Sequence, residues 1–266
     1  MNFNFGELKM DNKILKKDLP LGIIVYDGPS KIDGKPIICI VNGFDKSSNT
    51  KTGNMLQSWI IRKDIHPQDA IRTKEDYSIC KDCFKRRTKS CYVVSYAPSS
   101  VYRAFKRGSY LKFKPDMLKY FVGRKLRIGS YGDPSAIDTS IWSLLCSVVK
   151  GYCGYSSNWG HCDQTLKYYC MASVNTEEEQ NKAIKKGWRT FRTRPYLETP
   201  LLKNEIICPA SKEGGEKTDC SRCGMCCGSA SNKKNPVIVV HGWRHKIRYF
   251  REGLENRENK KKYIMI

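Results

Sequence analysis

The alternation of short apolar segments with helical ones, from about residue 124 onward, constrains the fold more than any other feature of this sequence. Strand–helix–strand units joined by short connections build a parallel sheet covered by helices. The sequence therefore predicts an α/β fold: a parallel (β/α) partial or complete barrel with an N-terminal β-rich extension and cysteine-rich loops. The predicted strands are 125–129, 153–155, 169–174, 188–191, 205–208 and 237–240.

Two helices between these strands carry clear boundary signals. Asp138 begins the cap of a helix over 141–150, whose apolar residues recur at helical spacing. Thr176 caps a helix over 177–186, which has acidic residues in its first turn, lysines in its last and Gly187 as its stop. These signals support the alternating pattern.

The first part of the chain is rich in β-branched runs. Segments 22–26 and 36–41 predict a hairpin or early strands, and 55–61 predicts another strand. A helix is expected over 99–107, with Ser99 or Ser100 as its N-cap. The expected units are an N-terminal β-rich extension (1–62), a barrel-like core with two cysteine clusters (63–243) and a basic C-terminal tail (244–266).

Four late cysteines have the spacing of a metal site. Cys208, Cys220, Cys223 and Cys226 supply four thiolates, and the closing Cys-x2-Cys-x2-Cys is similar to the loop that wraps a ferredoxin-type cluster. Zinc is the competing occupant, although four-cysteine zinc sites usually use two separated Cys-x2-Cys knuckles. The spacing favours an iron–sulfur cluster, and Cys227 is placed to substitute for Cys226.

A second group of cysteines, Cys80, Cys83 and Cys91, is one ligand short of a four-coordinate site. Either a distant residue completes a structural site, or the open position binds a substrate or cofactor. The candidates for the fourth ligand are His66, His161 and Cys162. The cysteines in apolar segments are expected in the core: Cys39, Cys146, Cys153, Cys162 and Cys170.

The cysteine count bears on the compartment. There are 13 cysteines, and the first residues contain no apolar stretch resembling a signal peptide. An odd count with Cys-x2-Cys pairs favours ligand thiolates in a reducing cytoplasm over a disulfide framework. No apolar run reaches membrane-spanning length, so no membrane partner is expected.

The charge points to a polyanion or to a lysine-rich solvated surface. Lys and Arg outnumber Asp and Glu by 48 to 26, for a net charge of +22. Basic residues interleaved with aromatic ones suit single-stranded nucleic acid, because phosphates and bases are both contacted. The candidate nucleic-acid-binding residues are Arg103, Lys106, Arg107, Arg189 and Arg194.

Polar residues gather where the predicted strands end. In parallel sheets the working residues lie at the carboxyl ends of the strands. Turn and cap chemistry accounts for some of these residues, but the polarity repeats at successive ends. The candidate catalytic residues are Asp133, Ser173, Asn175, Arg192 and His241. The chain has only 4 histidines and lacks a Walker-type loop, which argues against histidine-rich hydrolases and nucleotide hydrolysis.

Several stretches together resemble an uncharacterised protein family of phages and prophages. They are 52–62 (TGNMLQSWIIR), 78–83 (SICKDC), 90–93 (SCYV), 129–134 (GSYGDP), 170–174 (CMASV), 187–192 (GWRTFR) and 207–211 (ICPAS). The resemblance extends from about Thr52 to Gly242 and implies a viral or mobile-element origin, hence the host cytoplasm, without implying an activity.

A looser resemblance is to the radical S-adenosylmethionine enzymes, which combine a (β/α) barrel with a cysteine-bound cluster. Their Cys-x3-Cys-x2-Cys loop is absent from this chain. The resemblance implies a cluster with one open iron at Cys80, Cys83 and Cys91, and S-adenosylmethionine as a cofactor.

Three hypotheses of function follow. The first is a metallocluster protein that acts on or binds nucleic acid in phage replication or host takeover. The second is a barrel enzyme of the radical type. The third is an interaction protein that targets a host factor and uses the metal only to fix its shape.

Overall fold

A ten-stranded sheet runs through the protein. The computed structural model describes residues 16–45, 51–229, 231 and 233–264, and for 16, 258 and 260–264 it describes the backbone alone. The strands are β1 Gly22–Pro29, β2 Pro36–Asn42, β3 Leu56–Arg62, β4 Leu111–Lys112, β5 Lys125–Tyr131, β6 Gly151–Ser156, β7 Met171–Val174, β8 Thr190–Arg194, β9 Glu205–Ile207 and β10 Asn235–Val239.

The strand order is β4-β1-β2-β3-β5-β6-β7-β8-β10-β9. The pairs β1–β2 and β2–β3 are antiparallel, and the other neighbouring pairs are parallel. The predicted α/β class with a mostly parallel sheet is therefore confirmed. The two outer strands, β4 and β9, do not pair with each other in the described part of the chain, so the sheet is open and not a complete barrel.

Helices connect the strands. They are α1 Pro67–Thr73, α2 Tyr77–Cys80, α3 Phe84–Arg87, α4 Tyr96–Lys106, α5 Thr139–Val148, α6 Glu177–Lys185, α7 Cys220–Cys223 and α8 Arg244–Ile264. Apolar side chains of β5 and β7 pack with those of α5 and α6 in one large core, which includes Leu126, Ile128, Trp142, Ala172, Val174 and Ala183. Burial of this apolar surface is the main stabilising contribution to such a layered fold. No helix in the described residues combines the length and hydropathy that a membrane crossing requires.

The N-terminal strands continue the same sheet. β3 pairs with β5 in parallel, with Leu56 opposite Leu126. Ile40 and Ile60 are fully buried in the same core as the later strands. The described residues of segment 1–62 thus share a sheet and a core with the segment that follows.

The C-terminal tail forms α8. Phe250 and Leu254 are buried on this helix and pack with Val240 and Phe84. The rings of Phe84 and Phe250 meet edge to face, with centroids 5.3 Å apart. The basic tail is therefore anchored to the end of β10 and to α3 by an apolar contact.

Helix boundaries follow their capping signals in two cases. Asp138 accepts a hydrogen bond from the Ser140 amide at 3.0 Å, and Thr176 accepts one from the Glu179 amide at 3.2 Å, so both predicted N-caps are confirmed. The predicted start of α4 was wrong. This helix begins at Tyr96, and the Ser99 hydroxyl donates back to the Ser95 carbonyl at 2.7 Å within the helix.

Candidate functional site

The sheet face opposite the large core carries thiol and aromatic side chains. Successive side chains of a strand point to opposite faces, and Leu126 and Ile128 face the core, so Arg127 points the other way. A second buried cluster lies on this side. We call it the thiol face, and its members from the strands are Arg127, Cys153, Tyr155, Met171 and Phe191.

Segment 208–229, here the cysteine loop, is held against the thiol face. The Cys208 amide donates to the Val237 carbonyl at 2.8 Å, at the end of β9. Further along, the Cys220 amide donates to Lys51, and the Cys226 carbonyl accepts from the Gly154 amide of β6 at 3.2 Å. The loop therefore runs from the carboxyl end of β9 towards the amino end of β3 and the middle of β6.

This path brings the loop cysteines to a cysteine of β6. Cys226 packs with Cys153 and Met55, and Cys220 lies at the edge of the same cluster. The nearby Cys220 thiol and the Arg127 guanidinium, which lies 3.6 Å from the Cys153 sulfur, lower the pKa of Cys153 to about 6. Burial raises the pKa values of Cys208 and Cys226. The charge of Cys223 raises the pKa of Cys208 further, so these two thiols are close enough to interact.

Arg127 is the positive charge of this face. Its guanidinium lies 3.6 Å from the Cys153 sulfur and 4.3 Å from the centre of the Tyr155 ring. No carboxylate in the described residues forms an ion pair with it, and the acidic groups that raise its pKa are thiols and phenols. A half-buried arginine with such neighbours is suited to an anionic site.

Cys153 and Arg127 were missed by the sequence reasoning. Cys153 was assigned to the core because it lies in an apolar strand, and it is indeed buried, but on the thiol face. A signal for Arg127 was present: a charged residue stands between two apolar ones in the middle of a parallel strand.

The ligand set itself is not assembled. Within residues 16–45, 51–229, 231 and 233–264, no group of three or more His, Cys, Asp or Glu side chains is placed to hold a metal ion. The predicted ligands Cys208, Cys220, Cys223 and Cys226 therefore do not form a coordination geometry, although Cys220 and Cys226 pack against the thiol face. The donors are soft thiols, which suit zinc and iron–sulfur clusters.

The other predicted cysteine group lies at the opposite ends of the strands. Cys80 ends α2, Cys83 precedes α3, and the Cys91 amide donates to the Lys85 carbonyl at 3.0 Å. The amide of Asp133, just after β5, donates to Ile79 beside this group. Burial raises the pKa values of Cys80 and Cys91, and the nearby Cys83 raises both further.

Tyr92 follows Cys91 in the chain, and its side chain is 45% exposed. Its ring lies 5.1 Å from that of His241, a predicted catalytic residue. The pKa of His241 is lowered by burial and by the positive charge of Lys51. Both effects favour the neutral form of the His241 ring.

The side chains of two other predicted catalytic residues form hydrogen bonds or an ion pair with other side chains of the protein. Asp133 is buried and accepts hydrogen bonds from the Ser156 hydroxyl at 2.7 Å and from the Ser157 amide at 2.7 Å. Arg192 is buried in an ion pair with Glu205 at 2.7 Å. The Asp133 carboxylate oxygens and the Nε and Nη2 groups of Arg192 are therefore already engaged within the protein.

Ser173 and Asn175, by contrast, line a cavity of about 370 Å³ at the carboxyl ends of β6 and β7. Cys83 and Lys85 are on its wall. The structure therefore brings two predicted catalytic residues together with one predicted metal ligand, and adds Lys85, which the sequence reasoning did not select.

The predicted nucleic-acid residues divide into two sets. Arg103, Lys106 and Arg107 are exposed on and just after α4. Arg189 is buried and donates to the Gly228 carbonyl at 3.0 Å, which fixes the cysteine loop, and Arg194 is buried in an ion pair with Glu213. The buried pair is not presented to a partner, so the residues that remain for nucleic acid are those of α4.

No protein-family model matches the chain, and neither the curated proteins nor the solved structures contain a match to it. The resemblances to a phage family and to radical enzymes stay predictions from sequence motifs. Function has to be argued from the geometry of the thiol face and of the cavity.

Proposed function

We propose that this chain is a metalloprotein that binds an iron–sulfur cluster or zinc through Cys208, Cys220, Cys223 and Cys226. The observation that carries the proposal is the path of the cysteine loop, which brings Cys220 and Cys226 to Cys153 on the thiol face, next to Arg127.

The charge of the surroundings supports a thiolate centre. A zinc ion or an iron–sulfur cluster bound by four thiolates carries a net negative charge, which is costly to bury without compensation. Arg127 supplies a positive charge that no described carboxylate neutralises. Met55, Met171 and Phe191 complete an apolar wall that keeps the site away from water.

The backbone of the loop favours a cluster over zinc. α7 ends at Cys223, and Gly224 follows it with a φ of 59°, a left-handed conformation that turns the chain before Cys226. Three thiols are thereby carried on one short turn, as cluster-binding loops require. Only Cys208 comes from outside this turn.

The test is anaerobic purification followed by visible absorption and analysis of iron, sulfide and zinc. We expect a coloured protein with iron and sulfide that is bleached by Cys223→Ser. Cys146→Ser on α5 is the matched control and should keep the full content. A colourless protein with one zinc would identify the metal as zinc, and a metal-free protein would overturn the proposal.

A second function, binding of single-stranded nucleic acid, is favoured by the exposed basic surface of α4. Arg103, Lys106 and Arg107 lie on and just after this helix, and Tyr96 at its start is 70% exposed and available to stack on a base. These residues combine phosphate contacts with an aromatic platform.

This second function is tested by titrating labelled single-stranded DNA and RNA across a salt series. Replacing Arg103, Lys106 and Arg107 by Gln should weaken binding. It should also reduce the slope of log K against log salt concentration by the amount that corresponds to up to about three phosphate contacts. Arg72→Gln on α1 serves as the control. Salt-independent binding, or none, would count against nucleic acid and favour a host protein as the partner.

A further inference from the structure

A cavity of about 370 Å³ opens beyond the carboxyl ends of β6 and β7. Strand-end residues form one wall, and segment 82–88 and α8 form the others. Open α/β sheets bind ligands at the carboxyl ends of their strands, and small-molecule sites have about this volume. We call it the strand-end cavity. It lies at the opposite end of the strands from the turn that carries Cys220, Cys223 and Cys226.

One wall holds a buried acceptor without a donor. Asn175 is only 7% exposed, and its side-chain oxygen has no hydrogen-bond partner in the described residues. Its backbone amide donates to Glu179 at 2.7 Å, and its side-chain nitrogen lies 3.5 Å from the same carboxylate. The oxygen is closed off from solvent in this arrangement, so a ligand donor reaches it when the Asn175 side chain rotates towards the cavity. An unsatisfied buried acceptor is costly, and a ligand N–H or O–H would remove that cost.

The facing wall is positive. Lys85 and Arg87 both line the cavity. Lys85 donates to the Thr193 hydroxyl at 3.0 Å, and neither side chain pairs with a carboxylate in the described part of the chain. Arg257, at the rim, differs because it pairs with Glu179 at 2.6 Å. The lining carries three cations, Lys85, Arg87 and Arg257, against the carboxylates of Asp82 and Glu179, and this positive excess favours an anionic ligand group.

Trp159 adds an aromatic side chain to the lining of the cavity. An indole beside a buried amide oxygen suits a flat heterocycle that carries a hydrogen-bond donor. A ligand for this cavity therefore needs an anionic group, a planar ring and a donor within one small molecule.

We propose that the strand-end cavity binds a mononucleotide. Its phosphate contacts Lys85 and Arg87, its base packs beside Trp159, and an N–H or O–H of the nucleoside donates to the Asn175 oxygen. Of the two acidic residues in the lining, Glu179 is held by Arg257 and by the Asn175 backbone, while Asp82 stands on the same segment as Lys85 and Arg87. The assignment rests on the cavity and does not depend on the metal.

The test uses AMP and GMP as probes against the full-length protein purified as for the metal analysis. Equilibrium dialysis gives the affinity, and quenching of tryptophan fluorescence reports the site. AMP should bind more tightly than adenosine or inorganic phosphate alone. Trp159→Phe should abolish the quenching while leaving dialysis binding detectable.

Two variants probe the opposite walls. Lys85→Met and Asn175→Ala should each weaken AMP binding about tenfold or more, the size expected for losing one hydrogen bond to a charged or buried group. Lys182→Met, on the exposed side of α6, is the matched control and should bind normally. Thermal melting of each variant separates lost affinity from lost fold.

Three results would overturn the assignment. The first is no binding of AMP or GMP at millimolar concentration. The second is binding of AMP by the Lys85 and Asn175 variants with the affinity of the wild-type protein. The third is tighter binding of S-adenosylmethionine than of AMP. The last result would assign the cavity to a radical-type enzyme instead. Metal content measured on the same samples distinguishes a failed cavity from a failed thiol site.

Discussion

At the scale of the residue, Arg192 shows how a polar side chain at a strand end can serve the fold. The sequence marks it as a candidate catalytic residue, because it stands at the end of an apolar segment. In the structure its guanidinium makes two contacts with the Glu205 carboxylate, at 2.8 and 2.7 Å, and both residues are buried. A partner thirteen residues away is a tertiary contact that local pattern does not encode.

We predict that Glu205→Met destabilises the protein by about 3–5 kcal/mol, because it leaves Arg192 buried without a counter-charge. The double variant Arg192→Met with Glu205→Met should recover part of this loss. Urea unfolding measures both. Arg72→Met removes an exposed pair with Asp69 and should cost less than about 1 kcal/mol. A cost for Glu205→Met no larger than that of the control would show that the pair is unimportant for stability.

Residue types alone could place Ser173 and Asn175 at a strand end, and the cavity found there agrees with that placement. They could not show that the Asp133 carboxylate accepts hydrogen bonds from the hydroxyls of Ser156, the last residue of β6, and Ser157. Which polar residues face a cavity depends on the neighbours that already satisfy them. That information is tertiary.

At the scale of the element, capping signals were reliable where the cap is local. The N-caps of α5 and α6 depend on a side chain and an amide two or three residues apart, so the sequence contains all that is needed. α4 has no side-chain cap, and its start is set by packing of Val101, Tyr102 and Ala104 in the core. Its beginning could therefore not be read from Ser99 or Ser100.

The cap of α5 gives a pH prediction. The pKa of Asp138 is lowered to about 2, first by the Ser140 amide and hydroxyl and then by Lys31. A depressed carboxylate pKa means that its ionised form contributes stability above the unfolded value near 3.9, and that this contribution is lost as pH falls towards 2. Asp138→Asn should thus be less stable than wild type at pH 7.

The unfolding free energies of wild type and Asp138→Asn should converge as the pH is lowered from 4 towards 2. Urea titrations at successive pH values measure both. Asp69→Asn in the first turn of α1 provides the comparison, because the start of this helix has no side-chain cap. A difference that stays constant down to the lowest pH would show that charge is not what Asp138 contributes.

The cysteine loop depends on a glycine for its close contact with the sheet. A Cβ at Gly228 would lie 2.6 Å from the carbonyl oxygens of Lys167 and Tyr168, and its φ is 71°. Gly224 has a similar φ of 59°, but nothing lies within 4 Å of its Cβ position. The two glycines separate the cost of the backbone conformation from the cost of crowding.

We predict that Gly228→Ala lowers metal content and stability more than Gly224→Ala does. Left-handed conformation alone costs an alanine about 1 kcal/mol, and only Gly228 adds a steric clash with backbone. Thermal melting and metal analysis of the two variants, side by side, are the measurement. Equal losses would mean that the contact with residues 167 and 168 does not position the loop.

At the scale of the whole molecule, the alternation of strands and helices was enough to predict an α/β sheet, because hydrophobic period and turn residues are local. The joining of β1–β3 to that sheet was not predicted. It depends on the parallel pairing of β3 with β5, across more than sixty residues of intervening chain that includes α1–α4 and β4. Closure into a barrel likewise depends on which strands become neighbours, and the local sequence pattern does not indicate this.

The open sheet has a consequence for how copies of the chain meet in a crowded solution. Its two outer strands are its shortest, with 2 residues in β4 and 3 in β9. A strand of that length presents few unpaired amide and carbonyl groups, so it is a poor template for a neighbouring molecule to extend. Both rims are thereby blunted against the edge-to-edge stacking that leads to fibrils.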